Sequence, residues 1–538
     1  MSNSRIAEDE GSRMIRIGRR RRSITAIIAA ITTIVCLIAP GGASAALIPD
    51  VPVTPIRTPQ ASFMSFTGLL PAPTDGTFFT PPTPLPGRPG DVIWAQLSST
   101  PATDILGTFS GATTATPAPN IPGTWPQRKV EVWKVMYHTT NRAGESRAAM
   151  AMVLVDRARA AGSKLIVSMH GWTGFGENCG VFGNTLLSGA LAQASLLLNY
   201  IADGYTVVIP DGPGVGVPGR TTTMVSGDAT RSILDAAYAG YLFAGTATDV
   251  MVQGHSLGGQ MVYGVGGDAP TYMPQLKVRG IIALAPAGMS GPRAALFDPN
   301  RVQTSSSSVD VSNAIAYVMQ LEAAFGSKAI PLAKYLTPRG LALAKKFDSM
   351  CNTDMQGAAS LYSYKDVIKS NVKSPDPGSI SRASATPTVM VISTEDIVAD
   401  PLYQYQTYVS MCAAGQPTYW MEYSGNHGSV TNQALTDAAV YKPWFRSVAA
   451  GSTPPGACVP ITPTVSRFFL YTSAYVANAL GVVLPEKSTV TLAATGSCRV
   501  VKGVLEPGTS GTCDIQIRVT LGKKVVSTTA VTLRVRET

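Results

Sequence analysis

Residues 249–261 read DVMVQGHSLGGQM, and their pattern is the most informative one in the chain about its fold. Residues 249–253 form a short apolar run that is typical of a buried β-strand. The run is followed by Gly254-His255-Ser256-Leu257-Gly258, after which a helix is predicted to begin at Leu257. Small residues on both sides of Ser256 leave room for a sharp turn with a strained central residue. The stretch therefore predicts a strand, a tight turn and a helix in immediate succession.

The same succession recurs on both sides of this stretch. Strands are predicted at 164–169, 206–210, 278–284, 388–392 and 418–423, and helices at 183–202, 228–244, from Leu257, from Pro401 and after Ser429. An antiparallel strand pair is predicted before them, at 130–137 and 148–155. Alternating strands and helices form right-handed crossovers and a mostly parallel sheet that helices cover on both faces. We therefore predict an α/β fold for residues 126–460.

Three further regions flank or interrupt this domain. Residues 46–125 are rich in Pro, Thr, Ser and Gly, and predict an extended N-terminal arm. A mainly helical insert at about 286–385 interrupts the alternation and is predicted to be a lid, because it lies above the strand ends at which such sheets bind ligands. Short alternating segments at 462–538 predict a small all-β domain of the sandwich type.

The N-terminus carries the features of an export signal. A basic cluster at 19–22 precedes an apolar run at 24–39 and the small residues Ala43-Ser44-Ala45. A membrane anchor is the alternative, but the run is short for a bilayer and ends in a cleavage-type sequence. We therefore expect cleavage after Ala45 and secretion of the mature chain. The arginine pair before the apolar run leaves open which export route is used.

Composition and cysteine usage narrow the class further. The chain is 45% hydrophobic and 14% charged, and removal of residues 1–45 lowers its net charge from +10 to +6. That charge predicts no nucleic-acid partner, since no basic stripe interleaved with aromatic residues accompanies it. An even number of cysteines in an exported chain predicts disulfides. The six that follow the signal segment are Cys179, Cys351, Cys412, Cys458, Cys498 and Cys513.

The cysteine spacing also bears on metals and on the C-terminal region. None of the six cysteines has C-x-x-C spacing and the chain has only four histidines, so we expect neither a metal site nor a cofactor. Cys498 and Cys513 both lie in the C-terminal region, and we expect a disulfide there to staple the small domain.

The Gly-x-Ser-x-Gly pattern at 254–258 indicates nucleophilic catalysis by Ser256. A serine hydroxyl needs an imidazole to take its proton and an acid to hold that imidazole in the correct tautomer. On this kind of sheet the chain order is serine, acid, histidine. His427 is the one histidine that follows Ser256, and it lies in a loop after the last predicted strand. It is therefore the predicted base.

The acid is predicted in the loop after strand 388–392, where three carboxylates compete. Asp396 is the first choice, because a loop of about three residues suits the reach to His427. Glu395 is the second choice and Asp400 the third. Since every candidate catalytic residue precedes residue 430, we expect the sheet and its activity not to depend on the C-terminal domain.

An oxyanion hole needs backbone N–H donors from the residue after the nucleophile and from an earlier loop. Leu257 is the first predicted donor. Gly171 and Trp172 are the candidates for the second, because the glycine-rich turn at 170–174 follows the strand 164–169. We expect His170 to support this turn rather than to act as a base.

The order and spacing of these segments resemble the secretory lipase family of α/β-hydrolases, typified by yeast lipase A and its actinobacterial relatives. The resembling segments are Phe78-Phe79-Thr80-Pro81-Pro82, the loop 170–179, Gly204-Tyr205-Thr206-Val207-Val208, the turn at Ser256, residues 387–396 and His427. The resemblance implies lipase or esterase activity, a helical lid, and disulfides joining Cys179 with Cys351 and Cys412 with Cys458. Aligned on Pro387 it places the acid at Asp396, and aligned on Ile397-Val398 at Glu395.

These observations favour a secreted serine esterase or lipase that cleaves acyl esters through an acyl-serine intermediate. Its expected partner is an ester or lipid substrate, with contact to a lipid interface or a cell wall as a further expectation. An acyltransferase using the same intermediate is the alternative enzyme. A wall-binding protein on a hydrolase scaffold is the non-enzymatic alternative.

Overall fold

The structure is a computed structural model that describes residues 68–98, 130–156, 162–183, 194–287, 307–370, 375–376, 384–467 and 469–535. The predicted signal peptide, most of the predicted arm and residues 184–193 of a predicted helix lie outside these ranges. None of the helices in the described part of the chain combines the length and the apolar character needed to cross a bilayer.

A nine-stranded sheet forms the centre of the described chain. Its strands are β1 (Val92–Leu97), β2 (Val130–Thr140), β3 (Ser146–Asp156), β4 (Lys164–Met169), β5 (Tyr205–Pro210), β6 (Asp249–His255), β7 (Lys277–Leu284), β8 (Thr388–Ser393) and β9 (Thr418–Tyr423). They lie in the order β1-β2-β3-β5-β4-β6-β7-β8-β9. β5, β4, β6, β7, β8 and β9 are parallel, whereas β1, β2 and β3 are antiparallel and β3 joins β5 in an antiparallel pair. The predicted mostly parallel α/β sheet is confirmed.

Helices cover both faces of this sheet because successive strand residues point to opposite sides. In β4, Leu165 and Val167 pack into one core and Ile166 into the other. The first core is covered by α2 (Ser226–Ala244), α3 (Leu257–Met261) and α4 (Val265–Tyr272), and the second by α1 (Ala194–Ala202) and two later helices, α11 (Val430–Thr436) and α12 (Tyr441–Ala449).

The insert between β7 and β8 is helical in its described part, as predicted. It consists of α5 (Ser307–Phe325), α6 (Leu332–Tyr335), α7 (Pro338–Phe347), α8 (Asn352–Ala359) and α9 (Tyr364–Val367). Residues 311–321 of α5 are all buried, polar as well as apolar, so this helix is enclosed on every side rather than along one apolar stripe. The chain then returns to the sheet and continues into α10 (Pro401–Ala413), which begins shortly after β8.

The C-terminal region forms two small sheets and one helix. Its elements are β10 (Thr464–Val465), β11 (Tyr471–Thr472), α13 (Ser473–Ala479), β12 (Thr489–Gly496), β13 (Cys498–Val501), β14 (Val504–Pro507), β15 (Gly511–Leu521) and β16 (Lys524–Val535). One sheet has the order β10-β16-β15-β12 and the other β11-β14-β13. The short entry strand β10 pairs in parallel with β16, the last strand of the described chain. The sequence predicted the β character of this region, with strands at 489–493 and 515–519 that lie within β12 and β15, but it did not predict α13.

Three disulfides connect these elements: Cys179–Cys351, Cys412–Cys458 and Cys498–Cys513. They are the pairs that the resemblance and the cysteine spacing led us to expect. The first joins the loop after β4 to the helical insert, the second joins α10 to the loop after α12, and the third lies within the C-terminal region.

Candidate active site

Ser256 lies at the turn between β6 and α3, and its backbone is in the left-handed half of conformational space, with φ 56° and ψ −118°. The flanking glycines permit this turn. A Cβ atom on Gly254 would lie 2.2 Å from the carbonyl oxygen of Gly258, and one on Gly258 would lie 2.2 Å from that of Met169. No larger residue fits either position, so the turn presents the Ser256 side chain at the carboxyl end of β6.

His427 and Asp396 meet at the ends of the neighbouring strands β9 and β8. The Nδ1 atom of His427 lies 2.7 Å from Oδ2 of Asp396. The other oxygen of this carboxylate accepts hydrogen bonds from the backbone N–H groups of Val398 (2.7 Å) and Ala399 (2.8 Å). The Asp396 side chain is fully buried, whereas His427 remains partly exposed. An Nδ1–H that donates to the carboxylate leaves Nε2 free to accept a proton.

The two alternative acids have other partners. Oε1 of Glu395 accepts a hydrogen bond from the backbone N–H of Gly425 at 3.0 Å. Asp400 caps the N-terminus of α10, where its carboxylate accepts the N–H of Leu402 at 3.0 Å. Neither carboxylate contacts His427 among the described hydrogen bonds, so the arrangement favours the first choice made from the sequence.

The predicted oxyanion residues lie beside Ser256. A Cβ atom on Gly171 would stand 3.3 Å from Cβ of Ser256, so the loop backbone passes very close to the serine. Trp172 is buried and packs edge-to-face on Phe175. Leu257 is buried as the first residue of α3, where backbone N–H groups have no partner within the helix. Two sources of N–H donors therefore flank the serine.

This arrangement of strands and helices is similar to that of Candida antarctica lipase A, with a TM-score of 0.57 and 16% sequence identity over 74% of this chain and 90% of the lipase. The chain has an α/β-hydrolase fold. The closed state of the same lipase gives a TM-score of 0.53 at 17% identity, with the same coverage of both chains. A putative hydrolase from Legionella pneumophila gives 0.50 at 12% identity over 64% of this chain and 95% of that one. The resemblance predicted from the sequence is thus confirmed at the level of the fold.

No protein-family model and no curated protein matches this chain. The residues of the candidate site are therefore the evidence on the chemistry of this chain. In the described ranges, no group of three or more His, Cys, Asp or Glu side chains is placed to hold a metal ion.

His255 adds a contact that the sequence analysis did not identify. Its Nε2 atom lies 2.8 Å from the backbone carbonyl of His427, and the two imidazole rings are 4.8 Å apart. Burial, together with the nearby His427, lowers the pKa of His255 to about 3. The ring is therefore neutral at ordinary pH and donates its Nε2–H to the His427 carbonyl. Because His255 directly precedes Ser256, this bond links the serine turn to the histidine loop. Among the described contacts, no hydrogen bond joins the Ser256 hydroxyl to His427.

A second buried pair supports residues 170–179, the loop of the predicted oxyanion donors (the oxyanion loop). Nε2 of His170 lies 3.1 Å from Oδ1 of Asp211, and its Nδ1 lies 2.6 Å from the carbonyl oxygen of Gly171. Burial alone lowers the pKa of His170, but the Asp211 carboxylate more than offsets this and raises it above the usual value. His170 thus holds the loop, as expected. Asp211 was missed, although its position directly after β5 in an Asp-Gly-Pro-Gly sequence marks a loop at the same sheet edge.

The helical insert is fastened to the same loop. The N–H of Phe175 donates to the carbonyl of Met350 at 3.0 Å, and that of Asn352 donates to Thr173 at 2.8 Å. The Cys179–Cys351 disulfide crosses beside these bonds. The insert is therefore attached directly to the segment that carries the predicted oxyanion donors.

An ion-pair group lies near this attachment. The Arg220 guanidinium bridges Asp348, which follows α7, and Glu322 of α5, at distances of 2.8 and 2.9 Å. A cavity of about 490 Å³ lies beside it, lined by residues of the oxyanion loop and by Arg220, Asp348 and Ser349. Arg220 belongs to the loop that follows β5, so this contact also joins the insert to the sheet.

Proposed function

We propose that this chain is a secreted serine esterase or lipase that hydrolyses carboxylic esters through an acyl-serine intermediate. The observation that carries the proposal is the 2.7 Å contact between His427 and Asp396 beside the strained turn at Ser256, on an α/β-hydrolase fold. The three residues follow the chain order serine, acid, histidine that this fold uses. Three disulfides support an exported protein, cleaved after Ala45.

In this mechanism Nε2 of His427 accepts the proton of the Ser256 hydroxyl as Oγ attacks the ester carbonyl. The negative charge on the carbonyl oxygen is stabilised by the N–H of Leu257 and by an N–H of Gly171 or Trp172. His427 then gives its proton to the departing alcohol, which leaves an acyl group on Ser256. Water, deprotonated by His427, releases the acid. Asp396 keeps Nδ1 protonated throughout and stabilises the imidazolium.

The nucleophile is tested by Ser256→Ala together with labelling by an ester-like phosphonate. We expect the variant to fold as the wild type does, to lose ester turnover by several orders of magnitude, and to take up no label. Peptide mapping of the labelled wild type should find the phosphonate on Ser256. A label on another serine, or full turnover by the variant, would refute the assignment.

Substrate class is tested on soluble esters with acyl chains of increasing length and on emulsified triacylglycerol. Hydrolysis of both classes indicates a lipase, and hydrolysis of the soluble esters alone an esterase. The same reactions with an alcohol acceptor present distinguish the transferase alternative, because an acyltransferase would form the new ester rather than the free acid.

A further inference from the structure

The loop that carries Asp396 is attached to the sheet at its beginning. The N–H of Thr394 donates to the carbonyl of Tyr423, and that of Glu395 to Gly425, both at 3.0 Å. These bonds continue the pairing of β8 with β9 into the loop. The other end of the loop, at Asp400, has a different attachment.

That other end is held by the C-terminal region. The Asp400 carboxylate accepts hydrogen bonds from the hydroxyl of Tyr471, at 3.1 Å, and from the hydroxyl of Tyr475. The two tyrosine rings are stacked, with centroids 5.8 Å apart and an angle of 12° between planes. Tyr471 is buried. The same carboxylate that starts α10 is thus fixed by two side chains from β11 and α13.

The contact extends along the first turns of α10. Leu402, two residues after Asp400, is completely buried in the apolar cluster of the C-terminal region, with Val465, Phe469 and Leu505. One turn further on, Nε2 of Gln406 donates to the carbonyl of Asn478 at 3.1 Å. The helix that follows the acid loop is therefore packed on the C-terminal region and not only on the sheet.

We propose that Tyr471 and Tyr475 are positioning residues for the Asp396–His427 pair. Val398 and Ala399, whose N–H groups bind one oxygen of Asp396, lie directly before Asp400. A movement of Asp400 therefore moves the groups that fix the carboxylate. The inference rests on the proposed function, and it reverses the expectation that activity does not depend on the C-terminal region.

The test replaces the two hydroxyl donors without removing the rings. We compare Tyr471→Phe, Tyr475→Phe and the double variant with Tyr408→Phe, which removes a hydroxyl bond from the same helix α10 to Val459, away from the acid loop. We expect the double variant to lose about tenfold to a hundredfold in kcat with KM changed less than twofold, because a misplaced catalytic group costs about that much. Tyr408→Phe should keep its kcat.

A second readout separates positioning from plain stability. A proton shared by His427 Nδ1 and Asp396 should give a low-field proton NMR signal that Asp396→Asn abolishes. We expect this signal to shift or broaden in the double variant and to be unchanged in Tyr408→Phe. If the double variant does not fold, the two single variants, each lacking one hydroxyl bond to Asp400, carry the same comparison. Tyr471→Phe also loses the bond that the Tyr471 hydroxyl accepts from the N–H of Ser466 at 3.1 Å, so Tyr475→Phe is the cleaner of the two.

Two outcomes overturn the proposal: wild-type kcat in the double variant, or a lower unfolding midpoint with an unchanged low-field signal. Failure of the proposed function gives a different result. In that case the wild type shows no turnover and no phosphonate label on Ser256, while the low-field signal still reports whether the tyrosines position the pair.

Discussion

Because the His255 ring is buried, the free energy of unfolding should fall as the pH becomes acidic. Replacing His255 by glutamine should remove this part of the pH dependence. The pKa of His255 is lowered to about 3, by burial first and then by the neighbouring His427, with the His427 carbonyl and Asp396 opposing the shift. In the unfolded chain the pKa of histidine is about 6.5. The folded state therefore binds fewer protons, and the stabilisation is fully present above pH 6.5 and is lost as the pH falls toward 3.

The expected size of this effect follows from the shift. Each pH unit between the two pKa values corresponds to about 1.4 kcal/mol, so about 3 kcal/mol is lost between pH 6.5 and pH 4.5. His255→Gln removes the titrating ring and keeps a donor for the His427 carbonyl, since the glutamine amide can replace Nε2–H. The variant should lack this part of the pH dependence.

The measurement is the free energy of urea unfolding of wild type and His255→Gln at several pH values from 7 to 4.5, with disulfides intact. The difference between the two proteins should change by about 3 kcal/mol across this range, the wild type losing more. Contributions from titrating groups that do not interact with His255 cancel in that difference. Parallel curves for the two proteins would show that His255 is not held neutral, and the reasoning from burial would be wrong.

Two further substitution sets test the rest of the site. Asp396→Asn should lower kcat by about 10⁴-fold by spoiling the tautomer of His427. Glu395→Gln removes a charge but keeps an oxygen that can accept the Gly425 N–H, so it should change kcat less than tenfold. An equal loss in both variants would reject the choice of acid. Replacing Cys179 and Cys351 by alanine should reduce kcat more than replacing Cys412 and Cys458, because only the first disulfide attaches the oxyanion loop to the helical insert. Loop entropy gives the two disulfides similar stabilisation, about 5 and 4 kcal/mol, so stability alone would not produce this difference in kcat. The unfolding midpoints of both double variants are measured in parallel. Equal kcat in the two would show that the Cys179–Cys351 disulfide does not affect turnover.

Much of the fold was predictable because its signals are local. Strands such as β4 and β9 are short apolar runs bounded by turn residues, and their predicted limits agree with the structure. The chain order of Ser256, Asp396 and His427 was likewise predicted from the sequence. The strand β1 was missed, because its six residues lie in a Pro-rich segment and gain their strand partners only from β2.

The contacts around the site were less predictable, because they join residues far apart in the chain. Nothing near Asp400 in the sequence indicates that its partners are Tyr471 and Tyr475. The choice between Glu395 and Asp396 likewise depended on which way two adjacent side chains of a loop point. The family resemblance gives Asp396 when measured from Pro387 and Glu395 when measured from Ile397-Val398. In the structure the Glu395 carboxylate contacts the N–H of Gly425, whereas the Asp396 carboxylate contacts His427.

The parallel pairing of β10 with β16 has a consequence for the order in which the molecule is assembled. β10 is the first strand after the α/β-hydrolase sheet and β16 spans Lys524–Val535, so the small sheet closes only after residues 524–535 have been synthesised. Ser256, Asp396 and His427 all leave the ribosome earlier. If the tyrosines of this region hold Asp400, a nascent or prematurely ended chain carries every reacting group and still lacks their alignment. Such a chain has low activity until β16 has paired with β10, so we expect the release of residues 524–535 from the ribosome to raise turnover at the site.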